Sequence, residues 1–203
     1  MRIANTVSDS IVDGPGLRFT VFTQGCPHHC PGCHNPNTHD PAGGREVEVA
    51  ELAEKMAANP LTDGLTLSGG EPFDQAQACA ALAELAKERG LNVWTYTGYT
   101  WEKLLEGGDP GVLALLAHTD VLVDGPFVEG LKSYDALFRG STNQRLIDVP
   151  KSLAAGQVVL WQRPDLPAHF PPPGSYVAGL SPLYSAPFSR RPAPLRPPRT
   201  KGR

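Results

Sequence analysis

The chain has 203 residues, 40% of them hydrophobic, with a formal charge of −3. That length suits one domain with a real core plus a tail. No apolar run reaches the roughly 20 residues that a bilayer-spanning helix needs, which excludes a helical membrane protein at the level of sequence.

A short strand is expected over 3–7, followed by a turn over 8–16 that is rich in Asp, Gly and Pro. Leu17, Phe19, Val21 and Phe22 mark a strand over 17–23, which delivers a cysteine-bearing loop at its C-terminal end. Residues 35–45 carry Pro36, Pro41, Gly43 and Gly44 and read as irregular. Val49, Leu52, Ala53 and Met56 recur at helical spacing from Val47 on, and Asn59-Pro60 closes that helix.

The apolar run 64–68 reads as a buried strand ending in Gly69-Gly70-Glu71-Pro72. A helix over 74–89 follows, with Ala78, Leu82 and Leu85 on one face and Gly90 as its C-terminal cap. A strand over 91–95 leads into Thr97-Gly98-Tyr99-Thr100. Helical segments over 101–106 and 112–118 are separated by Gly107-Gly108-Asp109-Pro110. A strand over 120–124 ends at Gly125-Pro126, the stretch 127–148 has no sustained period, and 158–161 reads as a last strand.

From Pro164 on, prolines crowd the chain, and from Arg190 on there are six basic residues and no acid. Segment 164–203 is therefore expected to be an extended or disordered Pro/Arg-rich tail outside the folded domain of 1–163. With no aromatic interleaving, its charge reads as solvated extension rather than as a nucleic-acid contact.

Strands alternating with helices imply parallel βαβ units. The expected class is α/β, an open partial (βα) barrel of five or six mostly parallel strands, too few to close an eight-stranded barrel. Ligands of such sheets bind at the C-terminal ends of strands. Three successive strand ends carry the cysteine loop, the Gly-Gly-Glu-Pro turn and the Thr-Gly-Tyr turn, so these are expected to meet at one rim.

Within Cys26-Pro27-His28-His29-Cys30-Pro31-Gly32-Cys33-His34-Asn35, three thiols stand in the spacing Cys-x₃-Cys-x₂-Cys. Two prolines and a glycine fold the loop back, so Cys26, Cys30 and Cys33 can converge on a soft metal centre. Three thiolates leave a four-iron cluster one ligand short, with an iron open for chemistry. Those cysteines with His34 also fit a Cys₃His zinc site. Three clustered cysteines and a distant Cys79 make no secreted disulfide framework, and nothing at the N-terminus resembles a signal peptide. A reducing cytoplasm is the expected compartment. Cys79, among alanines on a helix, reads as a small core residue.

The cysteine spacing resembles that of the radical S-adenosylmethionine enzymes, and the wider stretch around it resembles those that install glycyl radicals. Val121-Leu122-Val123-Asp124-Gly125-Pro126-Phe127 and Arg139-Gly140-Ser141-Thr142-Asn143-Gln144-Arg145 narrow the resemblance to the activating proteins of anaerobic (class III) ribonucleoside-triphosphate reductases. It covers residues 1–149 and leaves out the tail.

The resemblance implies a [4Fe-4S] cluster on Cys26, Cys30 and Cys33, with S-adenosyl-L-methionine chelating the open iron. It further implies a flavodoxin- or ferredoxin-type electron donor, a 5′-deoxyadenosyl radical, and a glycyl radical left on the partner reductase. Many such enzymes carry an aromatic residue before the third cysteine, where this chain has Gly32. Main chain at Gly32, Cys33 and His34, with the His34 imidazole, would hold the adenine instead. Gly69 and Gly70 would expose main chain to the cofactor's ammonium, with Glu71 as countercharge. Thr97-Gly98 would meet ribose or sulfonium, or be a plain turn. Asp124 either holds substrate or ends a strand, and the 139–145 stretch either docks a partner loop, closes over the cofactor or forms a surface loop. Related readings are an activase of pyruvate formate-lyase, or a small-molecule enzyme of the same superfamily; a zinc-stabilised binding module is the reading from another class.

Overall fold

Leucine, valine, threonine and aromatic residues fill short runs that alternate with alanine-rich stretches, and the chain folds accordingly. The computed structural model describes residues 1–162; the expected Pro/Arg-rich tail of 164–203 lies outside them. Strand β1 (Arg2–Ser10) leads into β2 (Arg18–Thr23), and beyond the cysteine loop comes the two-residue β3 (Arg45–Glu46) before helix α1 (Val49–Ala57). Then follow β4 (Gly64–Gly69) with α2 (Ala76–Glu88), β5 (Asn92–Tyr96) with α3 (Trp101–Leu105) and α4 (Pro110–His118), and β6 (Val121–Asp124). Strand β7 (Arg145–Asp148) and helix α5 (Val149–Ala155) complete the described chain.

The seven strands form one sheet in the order β3-β1-β2-β4-β5-β6-β7. Neighbours from β2 to β6 run parallel, as the helical crossovers require. Both flanks are antiparallel, at β1–β2, β1–β3 and β6–β7. The expected parallel arrangement thus holds for the four central strands, but the sheet has seven strands rather than five or six and is antiparallel at both flanks. The link from β1 to β2 is far too short for a crossover, so those strands can pair only antiparallel. Strand β7 lies inside the stretch that showed no period. The expected strand at 158–161 reduces to a single bridge between Leu160 and Ile147.

Alternation along each central strand sorts side chains to two faces. Phe19, Val21, Leu65, Leu67, Val93 and Leu122 join the core under the helices. Helix α2 contributes Cys79, Leu82, Ala83 and Ala86 to that core, and Gly90 at φ 74° ends the helix as expected. Burial pushes the Cys79 thiol up to about 12, consistent with an inert packing residue. On the opposite face Trp94, Val121 and Val123 pack with Tyr96, Phe138 and Trp161. The Trp94 ring meets Trp161 at 5.1 Å and Phe138 at 5.2 Å, both edge-on. No described helix is long and apolar enough to cross a membrane.

Candidate functional site

The C-terminal ends of β2, β4 and β5 are held together by main-chain bonds. Gly70 N–H donates to the Thr23 carbonyl and Glu71 N–H to the Gly25 carbonyl, both at 2.8 Å. These bonds bring the Gly-Gly-Glu-Pro turn against the root of the cysteine loop. Gly69, at φ +96°, has no room for a Cβ, which would stand 2.5 Å from the Phe22 Cα. At Gly70 a Cβ would run into the Gly25 carbonyl. The two glycines are therefore demanded by the close approach of two strand ends, whatever else their main chain meets.

The cysteine loop leaves β2 through Gly25 and is pinned at its root, where Gly25 N–H donates to Thr38 O at 2.8 Å and Cys26 N–H to His39 O at 3.1 Å. At its far end Cys33 N–H donates to Cys30 O at 3.1 Å, and Asn35 N–H reaches the Cys33 sulfur at 3.4 Å. All three loop cysteines are free and half-buried. Burial pushes the Cys26 thiol up, so bound iron rather than the apo environment would have to supply its thiolate form.

One cavity of about 480 Å³ is lined by Cys26, Cys30 and Cys33 together with Gly69, Gly70 and Thr97, so the rim expected from the sequence is assembled. Its far wall is Phe127 and Gln144, from the excursion between β6 and β7. His34 also lines it and packs its ring on Phe127 at 5.2 Å. Among the described residues no three His, Cys, Asp or Glu side chains gather closely enough to hold a single ion. Three thiols lining one cavity are a donor set that fits an iron–sulfur centre. A larger depression of about 890 Å³ lies between the start of α2 and α4, away from every cysteine of the loop.

Gly32, Glu71 and Asp124, all singled out in the sequence, are not on the cavity wall. Gly32 sits at φ +71°, a left-handed conformation that favours glycine. Glu71 is fully buried, and its carboxylate is occupied by protein donors. Oε1 accepts from Phe73 N–H at 3.0 Å and Thr97 Oγ1–H at 2.9 Å. Oε2 accepts from Gly98 N–H at 2.9 Å and His28 Nε2–H at 2.8 Å.

Asp124 ends β6 and is also buried, accepting from Trp101 N–H at 2.8 Å and pairing with both Arg145 Nε, at 2.9 Å, and Arg145 Nη2. Arg145 continues outward to Glu102 at 2.9 Å. The 139–145 stretch braces itself: Gln144 Oε1 accepts from Gly140 N–H at 2.8 Å, and Gln144 Nε2 donates to Gly125 O at 3.0 Å. Asn143 Nδ2 donates to Pro126 O at 2.8 Å. Asp124 thus ends a strand and anchors Arg145, while Gly140 and Gln144 of the 139–145 stretch line the cavity.

Sequence reasoning passed over Arg18. It is fully buried, donating to Thr66 Oγ1 at 2.7 Å and to the Leu65 and Asn92 carbonyls, with its guanidinium 5.8 Å from the Trp94 ring centre. Burial lowers its pKa to about 10. Its position opening an apolar strand on the non-helical face was the available signal.

The sequence profile of a 4Fe-4S single cluster domain matches residues 12–147. An anaerobic ribonucleoside-triphosphate reductase-activating protein of Vibrio cholerae serotype O1 is 36% identical over 142 residues, covering 66% of this chain and 89% of that one. A pyruvate formate-lyase-activating enzyme of Clostridium pasteurianum is 38% identical over 128 residues, covering 60% of this chain and 50% of that one. Among solved structures, QueE from Escherichia coli aligns with 61% of this chain and 69% of that one, at a TM-score of 0.38 and 16% identity.

Proposed function

The chain belongs to the 4Fe-4S single cluster domain family, among the radical S-adenosylmethionine activating enzymes, and on that premise we propose that it activates an anaerobic ribonucleoside-triphosphate reductase by generating a glycyl radical on it. The observation that carries this reading is the convergence of three loop thiols and two neighbouring strand-end turns on one cavity. Cys26, Cys30 and Cys33 would hold the cluster. When bound, the cluster and S-adenosylmethionine together supply a reductive cleavage that yields an oxidant able to take hydrogen from a glycine Cα.

The chain's own residues do the rest. Main chain at Gly69 and Gly70, beside Thr97, forms the wall that would receive the methionine end, and His34 with the main chain of Cys33 forms the wall for the nucleoside end. Phe127 and Gln144 shield the far side from water. Cavity-lining residues come both from β1, at Val7 and Ser10, and from the stretch before β7, which supports an open, partly wrapped sheet whose gap admits a partner's peptide. A reducing cytoplasm would keep the three thiols available to iron, and a low-potential flavodoxin- or ferredoxin-type protein is the donor that this chemistry calls for.

The similarity to the clostridial enzyme favours one rival, an activase of pyruvate formate-lyase. Anaerobic incubation with each candidate partner, followed by electron paramagnetic resonance, separates them. A glycine-centred radical is expected on the reductase. Such a signal on pyruvate formate-lyase alone would reject the reductase as the target.

A further inference from the structure

The cysteine loop must present three thiols in a fixed arrangement, yet its middle has little to hold it. Residues 27–32 include two prolines without N–H groups. Among the described residues, the hydrogen bond from this segment to the body of the chain is the one from His28 Nε2 to Glu71 Oε2 at 2.8 Å. His28 is the central residue of the spacer between Cys26 and Cys30, so one bond there fixes the loop midway between two ligands.

The receiving side is built for that bond. Glu71 N-caps the turn after β4 through Phe73 N–H and takes Thr97 and Gly98 from the turn after β5, so both of its oxygens are anchored before His28 arrives. Gly98 leaves the space that the imidazole fills: a Cβ there would lie 2.6 Å from His28 Nε2. Tyr99 closes the other side, edge-on at 4.5 Å. A carboxylate buried with these four donors is firmly set, and losing one of them leaves an acceptor short of partners.

The geometry points to Glu71 and His28 as positioning residues: together they form a buried tie that seats the cluster loop on the neighbouring strand ends, and the Glu71 carboxylate serves this tie rather than facing the cofactor. The tie is a property of the iron-free chain, which lets it be tested apart from the proposed activity on which its purpose rests. In the full-length, iron-free protein, alkylation of each cysteine by N-ethylmaleimide can be followed by peptide mass spectrometry. Replacing His28 with alanine should raise labelling at Cys26 and Cys30 about tenfold, as expected for losing a hydrogen bond to a charged group that resists local opening. Gly98→Ala should do the same with His28 and Glu71 both retained, by evicting the ring. His28→Gln, which keeps a donor, should stay within about twofold of the parent. Cys79, buried in the main core, serves as the control for global loosening.

The reconstituted cluster should lose iron to a chelator faster in His28→Ala and Gly98→Ala, and not in His28→Gln. Unchanged labelling of Cys26 and Cys30 in both His28→Ala and Gly98→Ala would overturn the tie. So would a rise matched at Cys79. A chain that takes up no iron would count against the proposed function and leave the labelling result standing.

Discussion

At the scale of single residues, the side chains that hold the site's scaffold together are buried polar groups rather than the cysteines. Arg18 donates to a threonine hydroxyl, an asparagine side chain and three carbonyls, which lets a cation sit under the tryptophan cluster. Arg18→Met is expected to cost about 3 kcal/mol, because it strands the buried Thr66 hydroxyl and Leu65 carbonyl. Denaturant titration of the iron-free protein would check this, and a loss below about 0.5 kcal/mol, the range of ordinary surface changes, would contradict it. That Cys26, Cys30 and Cys33 line one cavity was legible, because their spacing is itself the signal. Arg18 and the tie from His28 to Glu71 were not, since each depends on a partner more than forty positions away. The same holds for Gly69 and Gly70. Their presence was read from the sequence as openness toward a ligand, whereas the close approach of β2 already demands both.

At the scale of elements, legibility followed length and the means of support. Strands β2, β4, β5 and β6 and helix α2 announce themselves, because each carries enough apolar residues to be stable only when buried on one or both faces. Strand β7 has four residues and is held from outside: it pairs with β6, and Arg145 bridges Asp124 and Glu102. The two halves of that bridge differ in burial, since Asp124 is 1% exposed and Glu102 is 59% exposed. Arg145→Met should therefore destabilise the chain by about 3 kcal/mol through the stranded Asp124. Glu102→Gln should cost less than about 1 kcal/mol, because water and salt screen an exposed pair. Arg145 lowers the Glu102 carboxyl to about 2 from 4.5. The folded chain therefore keeps this pair's contribution above pH 4.5 and loses it as the pH falls from 4.5 toward 2. Thermal unfolding of both variants between pH 2 and pH 7 checks the ordering. Equal losses at neutral pH would contradict the assignment of the stability to the Asp124 side.

At the scale of the whole molecule, parallel strands with helical crossovers deliver successive loops to the same edge, and this is why a rim could be expected before any coordinates. The antiparallel pairing of β1 on β2 follows from their short link, whereas that of β7 on β6 was not readable, because a four-residue edge strand is defined by the neighbour it finds. Both flanks matter for function all the same: β1 and the excursion before β7 supply the cavity's outer walls, which makes one pocket out of loops spread over more than a hundred residues. The central claim is that three thiols in that pocket hold the cluster at which S-adenosylmethionine is cleaved. Its most direct test is the yield of 5′-deoxyadenosine from anaerobically reconstituted protein with S-adenosylmethionine and a reductant, compared with Cys26→Ala, Cys30→Ala and Cys33→Ala variants whose fold is checked by circular dichroism. The parent should form 5′-deoxyadenosine and each folded variant should fall to background; undiminished yield from any one of the three would contradict the account.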